Sequence, residues 1–102
     1  MKPQRSEILS RLAKFVDLDS DGLRRFILQS MMDVREFTLS SLHETVSKRF
    51  EVSRKVIASM IGYICSSLGI LHVCKESYRS PKTYMIREEY ADIARSVLSR
   101  TL

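Results

Sequence analysis

Apolar residues in this chain recur mostly at three- and four-residue intervals, the period of helices with one buried face. Ile8, Leu9, Leu12, Phe15 and Val16 form such a stripe and predict a helix over residues 6–16. Asp17-Leu18-Asp19-Ser20-Asp21-Gly22 is then a polar loop rich in helix N-cap residues. Leu23, Phe26, Ile27 and Met31 predict a second helix, which the chain leaves near Asp33 and Val34. Phe37-Thr38-Leu39 reads as a minor strand. Ser41-Leu42-His43-Glu44 has capping-box spacing, with Ser41 as N-cap and Glu44 reaching back, and predicts a third helix over 42–50. Glu51-Val52-Ser53 makes a tight connection, and Ser53 caps a fourth helix whose buried stripe is Ile57, Met60, Ile61, Ile64 and Leu68. Gly69 terminates it, since glycine alone enters the left-handed C-terminal position without steric cost.

Beyond Gly69 the pattern changes to that of strands. Residues 70–76 predict one strand, with Leu71 and Val73 on the same side, and 82–86 predict another. Ser77-Tyr78-Arg79-Ser80-Pro81 between them is turn-rich, so the two form a β-hairpin. Tyr90, Ile93, Ala94, Val97 and Leu98 line a final helix over 88–99. The expected fold is mainly α with a small β-hairpin, an α+β class. A chain of 102 residues has room for one domain, here spanning 1–102. Its hydrophobic content of 44% suffices for a core without disulfides or metal.

Charge adds a location. Residues 53–86 carry Arg54, Lys55, Lys75, Arg79 and Lys82 against Glu76 alone, a net +4 out of +5 for the whole chain. A basic surface confined to one third of a chain suits a polyanion, because each phosphate contact releases condensed counterions.

The order of elements resembles the winged helix-turn-helix superfamily over residues 20–86, with extra helices at each end, 6–16 and 88–99. The likeness is carried by Phe37-Thr38-Leu39, by Val52-Ser53-Arg54-Lys55-Val56 at a helix start, and by Leu68-Gly69-Ile70-Leu71 leading into the hairpin. Within that superfamily the chain looks like a small archaeal family of unknown function, on the strength of Ile57-Ala58-Ser59-Met60-Ile61-Gly62-Tyr63-Ile64 and Glu76-Ser77-Tyr78-Arg79-Ser80-Pro81. The resemblance implies a DNA-binding protein of the kind that serves in transcriptional regulation, which lays its recognition helix, about 53–68, in the major groove and uses the basic hairpin, about 70–86, as a wing.

On that reading Ser53, Arg54, Lys55, Ser59 and Tyr63 face DNA from the helix, and Lys75, Tyr78, Arg79 and Lys82 from the wing. The helix is a poor base reader, however. Its outer residues are mostly small, and it has no Asn or Gln, the usual readers of adenine. Ala58, Gly62 and Ser66 instead form a smooth strip at four-residue spacing, which admits a close partner backbone. A protein-interaction module using this face is therefore the alternative. Homodimerisation through the first and last helices is also expected, by way of surplus apolar positions such as Phe15, Val97 and Leu98.

Other chemistries find little support. Asp17-x-Asp19-x-Asp21-Gly22 matches the start of an EF-hand loop, but the twelfth position, which should be a bidentate Glu, is Leu28. Cap acids for the next helix are the plainer reading. Cys65, His72 and Cys74 lack the paired spacing of a zinc site and are expected in packing. His43 is expected exposed. With three glycines, no phosphate-cradling loop and no nucleophile elbow, the chain reads as non-enzymatic and without cofactor. Residues 56–74 carry no formal charge and approach the length of a membrane span, but Ser59, Gly62 and Ser66 share one face, so no membrane association is expected. Lys2 and Arg5 precede an amphipathic stretch, not an apolar leader, and two isolated cysteines form no disulfide framework, so a reducing cytoplasmic setting is expected.

Overall fold

The computed structural model describes residues 5–19, 21–74 and 82–100. The hydrophobic stripes become five helices and two strands: α1 Arg5–Asp17, α2 Leu23–Asp33, α3 Leu39–Ser47, α4 Arg54–Tyr63, β1 Leu71–Cys74, β2 Thr83–Ile86 and α5 Glu88–Arg100. The protein is mainly helical with one antiparallel hairpin, in the α+β class. The strands pair from Leu71 opposite Ile86 to Cys74 opposite Thr83. No helix among the described residues is long and apolar enough to cross a membrane.

α2 is the hub, packing against α1, α3, α5 and β2. α1 and α5 lie against each other, as do α3 and α4. The core draws Ile8 and Leu12 from α1, Ile27, Leu28 and Met31 from α2, Val46 from α3, Ile57 and Ile61 from α4, and Ala94 and Val97 from α5. Each large aliphatic side chain of this kind contributes about 1.5–3 kcal/mol through burial.

Helix starts follow local chemistry, once with a surprise. Before α2, Asp19 accepts the amides of Arg24 and Arg25 at 3.1 and 3.2 Å, and Asp21 accepts that of Leu23 at 3.1 Å. These loop acids thus serve orphan amides at a helix N-terminus, where negative charge is also favoured by the helix dipole. Leu28, at the position an EF-hand reserves for its bidentate ligand, is fully buried in the core. α3 begins three residues before the place expected. Its N-cap is Thr38, not Ser41: Thr38 Oγ1 accepts from the Ser41 amide at 3.0 Å, and Ser41 Oγ accepts from the Thr38 amide at 2.9 Å. Glu44 is left out of the cap. The cause lies one residue back, where Phe37 forms a β-bridge with Tyr84 that holds the chain extended up to Thr38. The expected minor strand is this single bridge.

α4 starts as expected, with Ser53 Oγ accepting from the Val56 amide at 3.2 Å. It does not run as α-helix to Gly69. From Ile64 to Leu68 it widens into a π-helical turn, closed by the Gly69 amide donating to the Ile64 carbonyl at 3.0 Å. Gly69 sits at φ 72°, the left-handed cap expected of it.

Two further expectations need correction, those for the terminal helices and for His43. Phe15, Val97 and Leu98 are no surplus surface: all three are buried within one chain, Phe15 beneath Tyr63 and Arg24 and the two α5 residues in the common core. Leu71 and Val73 share one face of β1, as expected of a strand, but only Leu71 is buried, Val73 being 39% exposed, since the core lies under the end of the hairpin where Leu71 meets Ile86. His43 is half-buried, with its Nε2 2.9 Å from the Val52 carbonyl oxygen, and so joins α3 to the turn before α4.

Candidate nucleic-acid interface

α3, a short turn and α4 place one side of α4 in the core through Ile57 and Ile61 and leave the other to solvent. Helical spacing then decides what is displayed. Arg54, Lys55, Ala58, Ser59, Gly62, Tyr63 and Ser66 are all exposed. Two cations therefore stand at the N-terminal end of α4, where the helix dipole is also positive. Between Glu51 and Glu76 the chain has no acidic residue to offset them.

These side chains are not equally free. Arg54 Nη1 donates to Ser40 Oγ at 3.0 Å, which ties the first turn of α4 to the first turn of α3 and orients the guanidinium. Lys55 is solvated. The Ser53 oxygen accepts the Val56 amide in capping, which fixes its side chain and leaves its proton and one lone pair for a ligand. Tyr63 stacks on Phe15 with ring centroids 5.6 Å apart and 19° between planes, yet stays 44% exposed. It braces α4 against α1 while keeping an edge at the surface. Arg24 lies over the other partner of that stack, 4.8 Å from the Phe15 centroid.

The small strip is open. A Cβ added at Gly62 would meet no atom within 4 Å, so the surface there can take a close neighbour. Ser66 Oγ donates to the Gly62 carbonyl at 2.7 Å, which turns its hydroxyl inward to the backbone.

Of the hairpin residues proposed to touch a ligand, Lys82 is exposed just before β2. Lys75, Tyr78 and Arg79 lie outside the described residues. Ser40 was not anticipated. Nothing in a serine near a helix start marks it as a partner of an arginine fourteen positions later, and only the packing of α3 on α4 brings the two together.

Among the described residues, no group of three His, Cys, Asp or Glu side chains is arranged to hold a metal ion. Cys65 and Cys74 are free and half-buried, and Cys65 packs against the core.

A family model described as a protein of unknown function, DUF2551, matches residues 12–94. An uncharacterised protein of Archaeoglobus fulgidus is 34% identical over 93 residues, covering 90% of this chain and 93% of the relative. No solved structure matches.

Proposed function

The chain belongs to the DUF2551 family, whose description leaves its activity open, and we propose that it is a non-enzymatic DNA-binding protein of winged helix-turn-helix type, acting in transcriptional regulation. α4 is the recognition helix and the β1–β2 hairpin the wing. One observation carries the reading: the solvent face of α4 presents Arg54 and Lys55 together, in a stretch of chain without a carboxylate. Arg54, oriented by Ser40, and Lys55 bind backbone phosphates. Ser59, one turn on, is placed to reach a base edge. Lys82, with Lys75, Tyr78 and Arg79 of the wing, supplies a second set of phosphate and groove contacts. So few base-reading side chains imply shape and backbone recognition more than a long specific code.

The test is a salt titration of the full chain with a fluorescent random-sequence duplex, read by anisotropy. Affinity should fall steeply from low to physiological salt. Replacing both Arg54 and Lys55 by Ala should make the log–log slope shallower by about 1.8, since each lost phosphate contact contributes about 0.9. Absence of binding at the lowest salt, or an unchanged slope in the double variant, would refute the proposal. A second reading is favoured by the open Ala58–Gly62 surface: docking of a partner protein on the same face of α4. It predicts that Gly62→Ala impairs partner binding while DNA binding is absent.

A further inference from the structure

α2 and α5 meet along only part of their length, and a cleft of about 340 Å³ opens between them. One face of α2 forms a wall with Arg25, Gln29, Met32 and Asp33, and α5 answers with Arg95 and Leu98. None of these residues belongs to α4. A second cleft, of about 270 Å³, adjoins the first and shares Met32 and Arg95 with it, adding Val34, Met85 and Ala91 as apolar lining.

The charges are unbalanced. Asp33 is held by Gln29, whose Nε2 donates to it at 2.8 Å. Neither Arg25 nor Arg95 forms an ion pair among the described residues. The Arg25 Nε is buried and has no hydrogen-bond partner there. The nearby Asp19 carboxylate is engaged by the backbone amides of Arg24 and Arg25. In the second cleft Arg35 and Glu88 offset each other. The two clefts together thus have three guanidinium groups against two carboxylates, one positive charge in excess. An arginine already stripped of part of its water loses little further hydration when its remaining N–H groups pair with an anion. Methionines adapt to variable apolar shapes and make the adjoining lining receptive to a hydrocarbon tail.

We infer that this cleft pair binds a small amphiphilic monoanion, an organic carboxylate whose head lies between Arg25 and Arg95 and whose tail runs over Met32 towards Met85. The single excess charge matches a monoanionic carboxylate better than a phosphate dianion, which Asp33 would repel more strongly.

Octanoate, used below its micelle threshold, is the probe, with acetate, 1-octanol and inorganic phosphate as comparators. Calorimetry on the full chain should show saturable octanoate binding, one per chain, and all three comparators should bind at least tenfold more weakly. Arg95→Gln should weaken octanoate roughly tenfold or more, the loss of one charge-assisted contact. Arg95 is exposed, so this variant folds even if Arg25→Gln does not. No saturable octanoate binding, wild-type affinity in Arg95→Gln, or phosphate binding as tightly as octanoate would each overturn the inference.

Discussion

At the scale of single residues, competition between two nearby caps shows how local chemistry is settled from a distance. Ser41-x-x-Glu44 is the better capping box by composition, yet Thr38-x-x-Ser41 is the one that forms. A cap needs an extended residue before the first turn, and the Phe37–Tyr84 bridge supplies that conformation at Thr38. Thr38→Ala should therefore lower unfolding stability by about 1 kcal/mol in urea denaturation. Glu44→Ala, at an exposed site outside the cap, should change it by less than about 0.5 kcal/mol. Equal losses in both variants would return the cap to Ser41. The aspartates before α2 give the opposite lesson. Their service to helix amides is a contact between residues two to six apart, so it was legible from the loop composition alone.

At the scale of the element, α4 was legible in its start, its buried stripe and its stop, but not in its width. A π-helical turn adds one residue between bonded partners without altering which residues are apolar, so hydrophobic spacing hardly registers it. The two glycines of this segment should respond in opposite ways. Gly62 lies inside the helix with space for a Cβ, so Gly62→Ala should stabilise the fold by about 0.5–1 kcal/mol. Gly69 also has space, but its positive φ strains any L side chain, so Gly69→Ala should destabilise by about 1–2 kcal/mol. Thermal melts of the pair check this, and the same sign for both would contradict the assignment of their conformations. The exposed face of α4 followed from periodicity, which is why Arg54, Lys55, Ser59 and Tyr63 could be named as a set. The anchoring of Arg54 by Ser40 could not be, because it depends on how α3 crosses α4.

At the scale of the whole molecule, the apolar surplus of α1 and α5 is resolved within one chain. Arg5 pairs with Asp92 at 2.6 Å, and behind this exposed pair the two helices shield each other's apolar stripes. Phe15 of α1 is buried instead beneath Tyr63 of α4 and Arg24 of α2. Phe15→Ala should accordingly cost about 3–5 kcal/mol, seen as a lower melting temperature, with no change of oligomeric state in light scattering. Dissociation of a dimer on this substitution would instead restore these helices as an interface. The amino-acid sequence by itself determined the order of the five helices and the hairpin, most of the faces they bury and the concentration of the net positive charge in residues 53–86, because periodicity, caps and charge are properties of neighbours along the chain. Only the tertiary structure decided that α3 is capped by Thr38, which arginine is held by Ser40, that α1 and α5 cover each other, and that Arg25 and Arg95 share a cleft. Each of these is a contact between residues far apart in sequence, and its outcome depends on how packed faces cross.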